Sequence, residues 1–155
     1  MTTYYTCGFY FSEDLEYVLL IEKARPDWQK GKYNGIGGHI ESGEMPLSCQ
    51  EREFAEETGC EERIAWDGTH SLVNVDDHIF FFRAMGPKFD VDEFFPGGDE
   101  KPRWVPVKEI NNYDILPNLS WMIPMMISPC GVFDKFELVG YRDATSRWNY
   151  ETTKK

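Results

Sequence analysis

The stretch GHIESGEMPLSCQEREFAEETGC, residues 38–60, places a glycine-rich turn directly before a short acidic segment. Pro46 suits the first turn of a helix, where its missing N–H has no hydrogen bond to lose. Gly59 is a natural stop, because glycine readily adopts the left-handed conformation that ends many helices. The spacing therefore predicts a helix over residues 46–58.

This predicted helix carries a run of glutamates: Glu51, Glu53, Glu56 and Glu57. Like charges three or four residues apart repel by roughly 0.2–0.5 kcal/mol per pair, so a chain that keeps them usually places positive charge among them. The last three glutamates share one helix face. Leu47 and Phe54 lie on another face, and we expect both to anchor the helix to a core.

Grouped carboxylates form the all-oxygen environment that hard divalent cations such as Mg²⁺ or Mn²⁺ prefer. Gly37 and Gly38 lie just before the helix and let the backbone come close enough to offer a carbonyl ligand. The alternative is that the glutamates only solvate an exposed helix face. The residues alone leave both interpretations open.

Composition narrows the class of protein. The chain has 155 residues, of which 41% are hydrophobic, and we expect a single globular domain over residues 1–155. No apolar run reaches the ~20 residues of a membrane helix, and the N-terminus lacks signal-peptide features, so a cytoplasmic protein without a membrane partner is expected. A net charge of −11 argues against nucleic acid as a partner. The four cysteines form no CxxC pair, so zinc is not indicated.

Alternating apolar patterns predict the remaining elements. Residues 2–11 and 16–23 indicate a β-hairpin, and further strands are expected around 62–75, 78–85, 103–107 and 133–141. A second helix is expected from Pro117 to about Ser128, and residues 86–102 read as one long loop. Helices interleaved with a mixed set of strands predict an α/β sandwich with one helix on each side of the sheet.

The acidic segment resembles the Nudix box, G-x5-E-x7-R-E-U-x-E-E-x-G-U, in which U is an apolar residue. All seven fixed positions match: Gly38, Glu44, Arg52, Glu53, Glu56, Glu57 and Gly59. With each residue type at roughly 7% usage, chance agreement at a given start is on the order of 10⁻⁸. Phe54 and Cys60 fill apolar positions that Ile, Leu or Val occupy more often.

The resemblance implies the Nudix fold, a mixed β-sheet in an α/β/α sandwich, and metal-dependent hydrolysis of a nucleoside diphosphate linked to another group X. It implies Glu56 and Glu57 as the principal metal ligands, Glu53 as ligand or general base, and a carbonyl of Gly37 or Gly38 beside the metal. Glu44 would be a supporting carboxylate. Arg52 would orient the glutamates by ion pairing.

The rest of the chain resembles the MutT-type nucleoside triphosphatases. GKYNGIGGHIESGE, residues 31–44, is similar to the G-R-W-N-G-F-G-G-K-V-Q-E-G-E of the animal oxidised-purine hydrolases. Their base-reading Trp-Pro-Asp-Asp segment corresponds here to residues 116–119, Leu-Pro-Asn-Leu, so both aspartates are absent. Asn118 falls where bacterial MutT has a base-reading asparagine, and Asn34 is a second candidate. The alternative for Asn118 is a helix N-terminal cap.

Further site residues follow from the same resemblance. Lys23 aligns with a basic residue near the phosphates or the sugar, and His39 would contact a phosphate or lie exposed in its loop. Glu100, rather than Asp99, is expected to supply a late metal ligand. Tyr33 is the aromatic residue expected to stack on a base.

The sequence is also compatible with other functions. The signatures of ADP-ribose, NADH and coenzyme A hydrolases are absent, which lowers the expectation for sugar nucleotides, ADP-ribose or dinucleoside polyphosphates. A nucleotide-sensing module without catalysis is a further alternative, although the carboxylates are complete. The aromatic N-terminus would form an edge strand or pair across a dimer, so a monomer or a homodimer is expected.

Overall fold

The computed structural model describes residues 2–68, 72–73, 77–128, 136–142 and 148–154, with side chains for 2–68 and 77–128. The strands are β1 (Thr3–Ser12), β2 (Tyr17–Glu22), β3 (Tyr33–Asn34), β4 (Asp67–Gly68), β5 (Leu72–Val73), β6 (Asp77–Gly86), β7 (Pro102–Pro106), β8 (Phe136–Arg142) and β9 (Trp148–Lys154). The α-helices are α1 (Pro46–Thr58), α2 (Val91–Phe94) and α3 (Leu119–Met126), and short 3₁₀ helices cover Asp27–Gln29 and Val107–Asn112.

The described strands form one mixed sheet in the order β3-β2-β1-β6-β5-β8-β9, with β7 beside β2 and β4 beside β6. The hairpin β1–β2 is antiparallel, as predicted, whereas β1 and β6 run parallel. The N-terminal strand therefore lies inside the sheet. The expectation that it forms an edge strand was wrong, because β6 covers its second side.

The two faces of the sheet bury different residues, as strand alternation requires. Phe9 and Leu20 face one core, which α3 covers with side chains such as Met122. Tyr10 and Leu19 face the other core, where Phe54 of α1 packs. Helices on opposite faces of a mixed sheet confirm the predicted α/β sandwich.

Helix α1 has the predicted bounds. Pro46 lies in its first turn, and Gly59 ends it at a φ of 75°, with its N–H donating to the Ala55 carbonyl at 2.9 Å. Phe54 is buried, as expected, but Leu47 is exposed, so its predicted anchoring role was wrong. The first turns of α1 instead contact the preceding glycine loop, residues 35–39, through Cys49 and Gln50.

Several other predictions need correction. Residues 86–102 are not one loop, because the Asp90 carboxylate accepts the Asp92 N–H and caps the short helix α2. Residues 62–66 form no strand. The helix predicted to begin at Pro117 is α3, and it begins at Leu119. The strand predicted at 133–141 corresponds to β8, although 133–135 lie outside the described residues. A further strand, β9, follows β8.

The glycine loop, residues 35–39, is fixed against β1. Gly8 and Ile36 exchange two backbone hydrogen bonds of 2.7 and 2.9 Å, and the Thr6 N–H donates to the Gly38 carbonyl at 2.8 Å. This pairing lays the loop beside the first turns of α1. Across residues 2–68 and 77–128, no helix is long and apolar enough to span a membrane.

Candidate active site

Two glycines let the loop and α1 approach closely. A Cβ at Gly37 would lie 2.1 Å from the Thr6 carbonyl oxygen, and a Cβ at Gly38 would lie 2.4 Å from a carboxylate oxygen of Glu53. The Gly38 carbonyl already accepts from the Thr6 N–H. Within the described residues, no hydrogen bond uses the Gly37 carbonyl, so Gly37 is the better placed of the two predicted carbonyl ligands.

Arg52 connects three of the glutamates. Its guanidinium lies 2.9 Å from Glu44, 2.9 Å from Glu53 and 3.3 Å from Glu56, and it also donates to the His39 carbonyl at 3.2 Å. The hydrogen bonds from Arg52 lower the pKa of Glu44. Arg52 therefore supplies positive charge among the helix glutamates, as their mutual repulsion led us to expect. It also holds the Glu53 carboxylate beside the glycine loop.

Glu57 is the most constrained carboxylate of the group. Its Oε2 is buried and has no hydrogen-bond partner among the described residues. Burial raises the pKa of Glu57 from 4.5 to about 8, against the lowering effect of Lys23. Burial also raises the pKa of Glu53, against the hydrogen bond from Arg52. A buried carboxylate oxygen without a partner is the atom that a cation would satisfy.

The predicted ligands fit a divalent cation by chemistry, although their side chains are not gathered around one point. In residues 2–68 and 77–128, no three His, Cys, Asp or Glu side chains converge in a geometry that would hold a metal. Arg52 holds Glu53 and Glu56 in ion pairs. The unpartnered Glu57 oxygen and the free Gly37 carbonyl supply further hard oxygen donors.

Lys23 and Glu100 form an ion pair beside Glu57. Their charged atoms lie 3.2 Å apart, both side chains are largely buried, and the Ala24 N–H donates to Glu100 at 2.8 Å. Both charges act on the pKa of Glu57. The neighbouring acid, Asp99, instead pairs with Arg25 at the exposed surface, 3.0 Å away. Of the two loop acids, Glu100 is therefore the one whose charge acts on Glu57.

Asn34 is held in one orientation. Its Oδ1 accepts the Gly35 N–H at 2.8 Å and lies 3.6 Å from the Cys7 Sγ. A backbone N–H can only donate, so the oxygen must face the backbone and the Nδ2 group faces away. Within the described residues, nothing accepts a hydrogen bond from that Nδ2.

The other predicted substrate residues have different surroundings. The Tyr33 hydroxyl accepts from Arg103 at 3.2 Å. His39 is exposed, with its ring edge-on to Tyr5 at 5.6 Å. Asn118 is only 3% exposed, and its amide lies 3.1 Å from the Met122 sulfur. It precedes α3 without making a side-chain cap, so the capping alternative was wrong.

Sequence reasoning missed two residues that position the loop. The Cys49 Sγ lies 3.5 Å from the His39 carbonyl and 3.6 Å from Arg52. Gln50 is fully buried and donates to the Ile36 carbonyl at 3.0 Å, and only a glycine at position 8 leaves room for it. The sequence signal for this role was Gln50 itself, a polar residue on the side of α1 that faces the core.

Comparison with known proteins identifies the family. The NUDIX domain family matches residues 3–125, more than half of the chain, and the protein belongs to this family. A mutator MutT protein from Bacillus halodurans matches with a TM-score of 0.70 and 21% identity, covering 97% of each chain. A MutT structure from work on Aliivibrio salmonicida and Vibrio cholerae matches with a TM-score of 0.64 and 21% identity, over 82% of this chain and 98% of that one.

A third match is the NUDIX domain of Shewanella oneidensis NrtR, whose structure contains ADP ribose. It has a TM-score of 0.61 and 16% identity, over 79% of this chain and 84% of that one. Identities this low establish the shared fold and no more. Family membership confirms the predicted Nudix fold and makes the protein a pyrophosphohydrolase of a family that uses divalent metal cations and acts on small-molecule nucleotides.

Proposed function

We propose that the protein hydrolyses a nucleoside triphosphate, normal or oxidised, to a nucleoside monophosphate and pyrophosphate, with Mg²⁺ or Mn²⁺ as the metal. The observation that carries this proposal is the group of carboxylates around Arg52, with the buried, unpartnered Glu57 oxygen beside it. A diphosphate linkage is strongly anionic. At a site built from carboxylates, bound divalent cations would offset the repulsion between the glutamates and the phosphates.

The metal would be held by Glu53, Glu56 and Glu57, together with Glu100 and the Gly37 carbonyl. When bound, it would neutralise phosphate charge and make water a stronger nucleophile. Arg52 positions Glu53 through their 2.9 Å ion pair. The raised pKa of Glu53 suits a group that takes a proton from water, because general bases work best when their pKa approaches the working pH.

Lys23 is the proposed phosphate contact. Its ammonium lies 3.2 Å from Glu100, and its charge lowers the pKa of Glu57, so it reaches the region where the phosphates would lie. His39 is a second phosphate candidate, since its exposed ring follows Gly38. Both would act as donors to phosphate oxygens.

Asn34 is the proposed base contact. Because its Oδ1 is engaged by Gly35, it offers only N–H donors. If this donor meets the exocyclic group of the base, a carbonyl there accepts its hydrogen bond and an amino group does not, so we expect 6-oxopurines or 4-oxopyrimidines to be preferred over adenine or cytosine. Tyr33 would stack beside it. Asn118 would reach a base only if its buried side chain turned away from Met122.

ADP-ribose is the second candidate substrate. The NUDIX domain of Shewanella oneidensis NrtR was solved with ADP ribose and shares the fold. The same carboxylates would bind the metal that acts on the diphosphate of ADP-ribose. Sugar nucleotides and dinucleoside polyphosphates contain the same phosphoanhydride linkage. A role as a non-catalytic nucleotide sensor is less favoured, because all the box carboxylates are present. We also propose a single cytoplasmic domain, monomeric or homodimeric, without a nucleic-acid or membrane partner.

A substrate panel tests this proposal. Pyrophosphate and phosphate release would be measured with the eight canonical nucleoside triphosphates, an 8-oxo-purine triphosphate, ADP-ribose and a dinucleoside tetraphosphate, in Mg²⁺ and in Mn²⁺. We expect pyrophosphate from an oxo-base triphosphate, abolished in Glu53→Gln. Activity confined to ADP-ribose or the dinucleotide would replace the triphosphate proposal with its alternative. Metal binding without any turnover would favour the sensor.

A further inference from the structure

The Lys23–Glu100 ion pair joins two residues that have separate proposed roles. The Lys23 ammonium lies 3.2 Å from Oε2 of Glu100 and 3.4 Å from Oε1, and the Ala24 N–H donates to Oε2. Within the described residues, Glu100 is the one carboxylate at ion-pair distance from Lys23. Each side chain therefore neutralises the charge that the other would offer to a ligand.

Glu100 cannot keep this partner unchanged while it shares a divalent cation with the glutamates of α1. A divalent cation and an ammonium bound to the same carboxylate would lie close together, and their positive charges would repel. The side chains of Lys23 and Glu100 are only 19% and 14% exposed, so salt would screen little of this repulsion. Glu100 therefore gives up Lys23 when it becomes a metal ligand.

The geometry of the site also requires a movement. Across residues 2–68 and 77–128, no three acidic, histidine or cysteine side chains converge on one point, so side chains must turn before Glu100 and the glutamates of α1 share a cation. The chain before Glu100 has room to adjust. Gly97 and Gly98 have φ values of 105° and 130°, and a Cβ on either would meet nothing within 4 Å beyond its chain neighbours.

This movement would leave Lys23 without a counter-charge. A largely buried ammonium that loses its carboxylate is strongly unfavourable. The charge of Lys23 acts on Glu57, so the ammonium faces the region where the substrate phosphates would lie. A phosphate oxygen there would replace the lost carboxylate as its partner. The release of Lys23 by Glu100 and its capture by phosphate therefore favour one another.

We propose that the Lys23–Glu100 ion pair couples metal binding to phosphate binding: Glu100 exchanges Lys23 for the cation, and Lys23 exchanges Glu100 for a substrate phosphate. The exchange rests on the proposed function, in which both ligands bind at this site. It makes each ligand bind more tightly when the other is present, beyond the effect of their direct contact. By linkage, the same factor acts in both directions.

The adjacent ion pair between Arg25 and Asp99 provides a matched control. Both pairs join the chain just after β2 to the chain just before β7. The charged atoms of Arg25 and Asp99 lie 3.0 Å apart, but their side chains are 68% and 63% exposed and neither residue is a proposed ligand. Removing this pair therefore weakens the connection between the two segments and leaves the exchange intact.

The test measures the Kd of Mn²⁺ for the full chain by titration calorimetry, with and without saturating GMP and corrected for Mn²⁺ that free GMP binds. The coupling is the ratio of the two Kd values. We expect it to be at least about five-fold larger in wild type than in Lys23→Gln or Glu100→Gln, because either substitution frees the remaining residue in advance. The double variant Lys23→Gln/Glu100→Gln should show the same reduced coupling as each single variant. Arg25→Gln/Asp99→Asn should retain the wild-type coupling.

Two results would overturn the exchange, once unfolding curves verify the fold of each variant. Equal coupling in wild type and Glu100→Gln would show that Lys23 and Glu100 act independently. An equal loss in Arg25→Gln/Asp99→Asn would show that the connection between the segments carries the coupling. Because no turnover is measured, the substrate panel can fail for triphosphates while the coupling stands. Wild-type protein that binds no Mn²⁺ would overturn both proposals.

Discussion

The two ends of the candidate site are held by different kinds of contact. The glycine loop and α1 are joined by backbone pairing to β1, by Gln50 and by the three ion pairs of Arg52. The opposite side is held by the Lys23–Glu100 ion pair and by one backbone hydrogen bond to Glu100. The first end provides a fixed frame for carboxylates. The second is easier to rearrange around a metal or a phosphate.

The largest effect is expected from Glu57→Gln. The substitution keeps the shape of the side chain but removes the charge of the buried oxygen that we assign to the metal. We expect kcat to fall by at least roughly 100-fold and Mn²⁺ affinity to fall with it. Steady-state kinetics and Mn²⁺ titration check both values. Wild-type metal affinity in this variant would contradict the assignment.

A matched pair of glycine substitutions separates folding from positioning. Alanine at Gly37 would press against the Thr6 carbonyl of β1, which is backbone, so Gly37→Ala should lower the free energy of unfolding by about 2 kcal/mol or more. The three atoms nearest to an alanine Cβ at Gly38 all belong to the end of the Glu53 side chain, which can move. Gly38→Ala should therefore lower kcat about ten-fold with a much smaller loss of stability.

Urea unfolding and kinetics on the same preparations distinguish the two glycine variants. Equal losses of stability would show that the loop is not held as rigidly against β1 as its hydrogen bonds suggest. Full activity in Gly38→Ala would show that the position of the Glu53 carboxylate is not critical.

The pH dependence of stability isolates Glu57 in the metal-free protein. Its folded-state pKa, about 8, lies above the ordinary value of 4.5, so the folded state binds this proton more tightly than the unfolded state. The stabilisation is present below pH 4.5 and is lost as the pH rises toward 8. In EDTA, wild type should therefore lose stability relative to Glu57→Gln between pH 5 and 8, on the order of a few kcal/mol.

Unfolding curves of both proteins at several pH values give this difference. Adding Mg²⁺ at pH 8 should restore stability to wild type and not to the variant, since a cation satisfies the ionised carboxylate. A difference between the two proteins that does not change with pH would contradict the burial of Glu57.

The smallest effect is expected at Asn118. Because its amide contacts the Met122 sulfur and the residue is 3% exposed, Asn118→Ala should lower stability by about 1 kcal/mol and leave KM within about three-fold of wild type. Asn34→Ala should instead reduce the preference for oxo-bases. Thermal unfolding and kinetics on paired oxo and amino triphosphates check both. A large rise in KM for Asn118→Ala alone would show that Asn118, and not Asn34, recognises the base.

Much of the fold was predictable because its signals are local. Pro46 and Gly59 set the bounds of α1, and alternation along β1 and β2 predicted the hairpin. The bounds of α3 were less accurate. Residues 117 and 118 precede the helix. Pro117 suits a first helical turn but lies outside the helix, and the Asn118 side chain makes no cap that would mark the start.

Helical spacing predicted that the carboxylates lie on one face of α1, but it could not predict most of the residues that pair with them. Arg52 lies on the same helix, so its ion pairs with Glu53 and Glu56 could be expected. Lys23 and Glu100 meet only because β7 pairs with β2. The burial of Asn118 and the exposure of Leu47 likewise depend on how elements pack. No local pattern encodes these long-range contacts.

The identity of the products tests the central claim most directly. Wild-type protein would be incubated with a nucleoside triphosphate and Mg²⁺, and the products would be separated by anion-exchange chromatography. We predict a nucleoside monophosphate and pyrophosphate in equal amounts, both formed at least roughly 100-fold more slowly by Glu57→Gln. A nucleoside diphosphate with inorganic phosphate, or equal turnover in the variant, would contradict the proposed role of these carboxylates.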